Sequence, residues 1–352
     1  MNNVFTYSIF DRLTFEVEQE ILEKTILYSD FHYFQSPQFF GVCQNSKKLT
    51  PYYILAKADK ELVGVLLFFR QVQVTVPMVS FLSSRNIIWG GPIVLGKSMD
   101  VMEGLLRFYT KNAPSSIYTQ VRNLVDTDKY KALFNKYGFE YEDHLTILVD
   151  LTRSEADLWK GVHTKRRNQI RRAEKEGCFV EQPHSIEALQ ACYSILQEVY
   201  QRAKLPLPDF SHFESLLHQS DERSGLRLFT VIWEGKIIGC MLCLAHGDWL
   251  FDYYAGAYSH FYKKYPNDLL PWAVFCWARK NGFRYFDFGG AGKPDVPYGV
   301  REYKKQFGGE LVCYGRYERH SYPKLFVLAK FSLLLWRKLK FNLNLSKVFT
   351  GK

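Results

Sequence analysis

The sequence predicts an α/β (α+β) chain of two similar domains in tandem. A strand–turn–strand unit occurs twice, and a helix that ends on a glycine and enters a strand also occurs twice, in the same order. The composition, 47% apolar and 23% charged over 352 residues, is that of a globular protein with a core to bury.

The first hairpin reads Tyr52-Tyr53-Ile54-Leu55-Ala56, a turn at Ala58-Asp59-Lys60-Glu61, then Leu62-Val63-Gly64-Val65-Leu66-Leu67-Phe68. The second reads Leu228-Phe229-Thr230-Val231-Ile232, a turn at Trp233-Glu234-Gly235-Lys236, then Ile237-Ile238-Gly239-Cys240-Met241-Leu242. Short polar turns between apolar runs signal hairpins, and each returning strand carries a glycine near its start. The second duplicated element is Lys-x-Gly-Phe-x-Tyr, at Lys136–Tyr141 and again at Lys280–Tyr285. Glycine directly after a helix is the expected left-handed cap. Two copies of hairpin, helix and capped strand imply two related domains.

The expected boundaries are 1–150 for the first domain, 151–320 for the second and 321–352 for a C-terminal segment. Ser154, with acidic Glu155 and Asp157 after it, is the predicted N-cap of a basic helix over 158–176 that ends at Gly177. On that helix His163, Arg167, Arg171 and Lys175 recur every four residues and form a cationic stripe. The segment from Leu325 to Trp336, followed by Arg337, Lys338 and Lys340, reads as a basic amphipathic helix. It either lies on a membrane surface or packs across the first domain.

The formal net charge of +10 suits a polyanionic partner such as tRNA, a nucleotide-linked substrate or an anionic membrane. The seven cysteines are scattered, which fits reduced thiols in a cytoplasmic protein. Cys240 and Cys243 match CxxC, but three residues apart on a strand they point to opposite faces. The nine histidines lack ligand spacing, so no metal site is expected. No basic region precedes an apolar run at the N-terminus, and no apolar stretch reaches the roughly 20 residues of a membrane span.

Chemistry-bearing residues concentrate in 250–310. Tyr253-Tyr254-Ala255-Gly256, the strand exit Phe288-Gly289-Gly290, and Gly299-Val300-Arg301-Glu302-Tyr303-Lys304-Lys305 with Phe307-Gly308-Gly309 follow in order. Acyl transfer to an amine needs a deprotonated amine, a carbonyl at close range and donors for the developing oxyanion. Glycine-rich strand exits expose such backbone donors. Lys304 or Lys305 could hold a phosphate or carboxylate or stabilise the oxyanion; solvated lysines beside tight turns are the plainer alternative. Asp252, Asp287 and Glu302 are all candidate bases. Phosphate-loop, zinc-helix and serine-elbow motifs are missing.

These segments resemble the FemABX family. The basic helix (Arg167, Ile170, Ala173, Gly177), Tyr253-Tyr254-Ala255-Gly256 and Gly299-Val300-x-x-Tyr303-Lys304 with Phe307-Gly308-Gly309 are similar to its motifs and stand in its order. Earlier, Phe34-Gln35-Ser36-Pro37 and Gly91-Pro92-Ile93-Val94 are similar too, so the likeness covers roughly residues 30–320. The resemblance implies two tandem GNAT-like domains, each a mixed twisted sheet flanked by helices. It implies transfer of an aminoacyl group from aminoacyl-tRNA to an amine of a peptidoglycan-type precursor, by an enzyme with no bound cofactor. Lys304 is then the lysine near the transfer centre, and Arg167, Arg171, Tyr254, Gly290, Tyr303 and Lys305 contact substrate. A cytoplasmic location, at the inner face of the membrane where the 321–341 segment makes contact, goes with this reading.

Three departures separate the chain from the family pattern. The tRNA-binding helical hairpin of some members is missing, Arg122 stands where a carboxylate is usual, and Cys43 stands where a lysine is usual. An alternative is therefore an acyl-CoA-dependent N-acetyltransferase acting on a surface-polysaccharide or lipid precursor. The loop Ser259–Asn267, however, lacks the glycines that cradle a pyrophosphate. A third reading is a non-catalytic RNA- or membrane-binding module.

Overall fold

Each duplicated hairpin forms the spine of its own sheet. The computed structural model describes residues 5–327 apart from 26, 27, 29, 75, 77 and 78. In chain order the strands are β1 (Phe5–Phe10), β2 (Leu49–Ala58), β3 (Glu61–Val72), β4 (Ser84–Trp89), β5 (Ile93–Val94), β6 (Tyr118–Arg122), β7 (Glu140–Glu142), β8 (Leu145–Asp150), β9 (Phe179–Glu181), β10 (Gly225–Trp233), β11 (Lys236–His246), β12 (Trp249–Ala257), β13 (Tyr285–Gly290), β14 (Glu310–Cys313) and β15 (Arg316–His320).

The two hairpins match in detail. Asp59 and Lys60 turn with φ of 48° and 74°, and Glu234 and Gly235 with 47° and 71°, the positive pair that suits the twist of a two-residue hairpin. Register slips between Ala56 and Lys57 in one hairpin and between Val231 and Ile232 in the other, so Val63 and Ile238 are the extra, bulged residues. The glycine after each bulge admits the first turn of a helix. A Cβ on Gly64 would lie 2.9 Å from Val101, in the helix Met99–Asn112, and one on Gly239 would lie 2.9 Å from Pro266, in the helix Pro266–Lys280. Gly138 and Gly282 both have left-handed φ, 78° and 84°.

Both sheets mix parallel and antiparallel pairs, ordered β1-β2-β3-β4-β6-β15-β7, with β5 also on β3, and β14-β8-β13-β12-β11-β10-β9. Each contains one strand supplied by the other half of the sequence. β8 inserts between β13 and β14, and β15 returns to the first sheet between β6 and β7. A cut after residue 150 therefore does not separate the sheets.

Three apolar layers follow from strands buried on both faces, which is why 62–69 and 237–245 read as near-continuous apolar runs. Alternate residues of β2 and β3 point into an outer core (Ile54, Leu66, Phe68) and a central core (Tyr53, Leu55, Leu67). On β11, Cys240 and Leu242 enter the same central core while Met241 and Cys243 enter the outer core of the second sheet. The central core, joined by Phe34, Leu189, Leu196 and Phe213, is common to both halves.

The basic segment differs from a single helix over 158–176. Ser154 caps the first helix, Glu155–Gly161, by accepting from the Asp157 amide at 3.1 Å. The chain then breaks at Val162–His163, and a second helix runs Thr164–Lys175. His163 is the cap of that helix, its Nδ1 accepting from the Lys165 amide at 3.2 Å, so it leaves the cationic stripe. The physical reason is burial: turning the chain at Val162 puts that side chain in the second outer core. The C-terminal amphipathic segment from 328 onward lies outside the described residues, and no described helix is long and apolar enough to cross a membrane.

Buried histidines make the fold acid-sensitive. Burial pushes His32 down to about 3, with the His246 charge adding to it, and pushes His212 down to about 4. Unfolding frees both rings to take up protons, so stability present above pH ~6.5 is lost as pH falls toward 4. At pH 5 this costs on the order of 2 kcal/mol per ring. Burial pushes Asp287 up to about 6, which has the opposite sign and recovers about 1 kcal/mol between pH 7 and 5. The histidines win, and urea midpoints should be lower at pH 5 than at pH 7; His212→Gln should flatten that dependence.

Candidate active site

The second sheet opens where β12 and β13 part. The two run parallel and paired from Trp249–Tyr285 to Phe251–Asp287. Beyond that β12 stays on β11 as far as Ala257 while β13 turns away through Gly289, whose φ is 67°. Backbone groups that would have paired across the two strands are left facing a gap, a ready source of oxyanion donors.

Lys304 reaches this gap from the short helix Gly299–Lys305. Its ammonium donates to the Phe288 carbonyl and lies 3.7 Å from the Asp252 carboxylate. Both side chains are largely buried, 14% and 8% exposed. Burial raises the Asp252 carboxyl while Lys304 lowers it. Asp287, beneath the turn, accepts from the Gly289 amide at 2.7 Å and from the Thr146 hydroxyl. Those two bonds shape the Gly289-Gly290 exit, and burial outweighs them in the raised carboxyl.

The remaining predicted residues divide. Gly290 is exposed at the gap; a Cβ there would lie 3.2 Å from His144 and 3.6 Å from Arg316. Tyr254 follows Asp252 on β12, its ring 5.4 Å from Tyr200 and 5.0 Å from Phe213, in the electrostatic reach of Arg122. Tyr303 is turned the other way: its hydroxyl donates to the Asn267 carbonyl at 2.5 Å and its ring carries the Arg166 guanidinium at 4.9 Å. Arg167 bonds Thr164 on its own helix, and Arg171 is exposed and stacks 5.3 Å over Trp159. Lys305 is half exposed beside Glu302. The structure thus sets Lys304 beside the Phe288–Gly290 exit, packs Tyr254 against the central core, and leaves Tyr303, Arg167, Arg171 and Lys305 elsewhere. Helical spacing explains the split, because 303, 304 and 305 on one short helix must face three directions.

Some residues that shape the site have no local signal in the sequence. Arg301 is buried and donates to the carbonyls of Ala291, Lys293, Pro294 and Val296, which latches the loop after Gly290. Its place in the glycine-lysine segment was the only available clue. In the first half, the Gln35 amide donates to the Gly91 carbonyl at 3.1 Å, so the Phe34–Pro37 and Gly91–Val94 segments are two sides of one contact.

The N-terminus of the helix Pro266–Lys280 carries its own counter-charge. Asp268, in the first turn and buried, is held by Arg166 at 2.6 Å. The ion pair fills the space at the helix N-terminus where a phosphate would otherwise be drawn. Arg166, Gln169, Tyr262, Tyr265 and Tyr303 line a cavity of about 260 Å³ around it.

Two mixed sheets, each with a parallel strand pair and a helix packed on a bulged hairpin, make a tandem GNAT-like fold. Residues 162–305 match the family model of the acetyltransferase (GNAT) domain. The chain has the fold of a solved structure of FemX over 91% of its length and 99% of that one, at TM-score 0.69 and 16% identity. It is similar to L-PGS from Bacillus licheniformis (TM-score 0.56, 14% identity, 84% and 90% covered). A tandem GNAT protein from the clavulanic acid biosynthesis pathway is similar as well (TM-score 0.59, 8% identity, 90% and 98% covered). Among curated protein sequences none matches. At these identities the structural likeness defines the fold, a FemX-like tandem GNAT architecture.

Proposed function

We propose that this protein is an N-acyltransferase that moves an aminoacyl or acyl group onto an amine of a cell-envelope precursor. The observation that carries this reading is the Lys304 ammonium at the mouth of the β12–β13 gap, between the Phe288 carbonyl and Asp252. The neutral amine attacks the carbonyl carbon of the donor ester or thioester. Negative charge then gathers on the carbonyl oxygen, where the lysine and the open backbone amides stabilise it. Collapse expels the donor's oxygen or sulfur, and the amine gives up its proton. Asp252 faces Lys304 and Asp287 holds the Gly289 amide; burial raises both carboxyls, and a raised carboxyl is a stronger base for the amine's proton.

We favour aminoacyl-tRNA over acyl-CoA as donor. The Asp268–Arg166 ion pair already occupies the helix N-terminus, which leaves Arg166 paired there rather than free for a pyrophosphate, and the surplus of positive charge suits RNA. FemX and L-PGS supply the analogy for an envelope acceptor. The contact of 321–341 with the inner membrane face, a cytoplasmic location and the substrate roles of Arg167 and Arg171 belong to this proposal. The test incubates the protein with labelled charged tRNA or labelled acetyl-CoA and crude envelope precursors. We expect label transfer from tRNA; transfer from acetyl-CoA alone would reverse the donor assignment, and no product from either would remove the enzyme reading.

A further inference from the structure

One face of the first sheet carries arginines where it looks across at the second. Strand alternation puts Arg85 of β4, Arg122 of β6 and Arg316 of β15 on the same side, because Arg85 pairs with Tyr118, two places from Gln120 and four from Arg122, and Arg122 pairs with Arg316. Arg122 and Arg316 are thus directly opposite each other on neighbouring strands, an arrangement of like charges that destabilises a sheet. Opposite them on β12 stand Tyr253 and Tyr254, which feel the Arg122 charge.

The nearby carboxylates are already engaged. Glu318 accepts from the Gln120 amide at 2.7 Å, and Glu142 is paired with Lys293. Arg85 is tethered to Gln71 at 2.8 Å and to the Tyr118 hydroxyl at 3.1 Å. Arg122 spends only its Nε on the protein, at 2.8 Å from Gln120, with its plane 4.7 Å over Trp89. Among the described residues the Arg316 guanidinium makes no hydrogen bond. These guanidinium forks are partly exposed, so the N–H groups they do not spend on the protein face solvent and are free to take up an oxyanion in bidentate geometry. The field is felt nearby: burial first, then Arg316, Arg122 and Lys293, push His144 down to about 3.

We propose that Arg122 and Arg316, backed by Arg85, hold an oxyanion group, a carboxylate or a phosphate, of the acceptor molecule. This rests on the acyl-transfer reading, because His144 and Arg316 lie against Gly290 at the exit of the Lys304 gap. An acceptor anchored there by its anion presents its amine to the gap.

The test is calorimetric titration of the full chain at constant ionic strength, with sodium pyrophosphate, with the dipeptide alanyl-alanine and with that dipeptide's amide. Pyrophosphate binding assigns a phosphate; binding of the dipeptide but not its amide assigns a carboxylate. Either supports the site if Arg122→Gln and Arg316→Gln each weaken it at least about tenfold. Without ligand, Arg316→Gln should melt no lower than the wild type, since it removes a repulsion. Two results overturn the proposal: binding of none of the probes, or variants that bind as the wild type does. Anion binding in a protein that transfers no label would reject the acyl-transfer reading and leave the anion site standing.

Discussion

Replacing Lys304 with alanine should lower label transfer by roughly 10²- to 10³-fold, the scale of losing one oxyanion-stabilising group. The loss should fall on the turnover number more than on the Michaelis constant, because the ammonium meets the carbonyl oxygen most strongly once charge has built up there. Lys304 also faces Asp252 at 3.7 Å with both side chains mostly buried, so a purely structural ion pair is the competing account. Removing only the lysine strands a buried carboxylate, which costs stability whatever the lysine does in catalysis. The double variant Lys304→Met with Asp252→Asn removes both charges and should recover much of the melting temperature. If it also recovered turnover, Lys304 would be a structural residue and the proposed mechanism would lose its centre.

A second large effect is expected from the exchanged strands. Produced separately, residues 1–143 and 144–352 should each fail to give a cooperative unfolding transition, and mixing them should restore one. The first fragment lacks β15, which pairs with β6 on one side and β7 on the other. It also lacks Tyr317, a fully buried ring stacked 4.1 Å from Phe134. Within the intact chain, Tyr317→Ala should cost about 3 to 5 kcal/mol, as other large-to-small core changes do. The second fragment keeps β8 but loses its half of the central core, including Phe34, Phe39 and Phe40. A well-folded, cooperatively melting first fragment would show that the halves are independent and that the exchange is incidental.

The exchange also builds the arginine-bearing face of the first sheet. Because β15 belongs in sequence to the second half, it carries Arg316 across to the first sheet and sets it opposite Arg122. A chain in which each half closed its own sheet would have no reason to place those two guanidiniums together.

Much of this protein was determined by local sequence. Both hairpins, their turns, the glycine caps at Gly138 and Gly282, the N-cap at Ser154 and the inward and outward faces of 237–245 follow from short-range rules, because each depends on backbone preference and on period-two burial within a dozen residues. The Lys304-Lys305 pair stood out as lysines in a glycine-rich segment after a strand exit, and it was the likeness to the FemABX motif that singled out Lys304. Only the tertiary structure decided which of Tyr303, Lys304 and Lys305 reaches the gap, that His163 ends a helix, and that β8 and β15 trade sheets. These depend on partners outside the local stretch, Phe288 and Asp252 for Lys304, β13 and β14 for β8, β6 and β7 for β15, and on where burial of Val162 and Tyr317 lowers the free energy most; a chain read residue by residue carries no term for either.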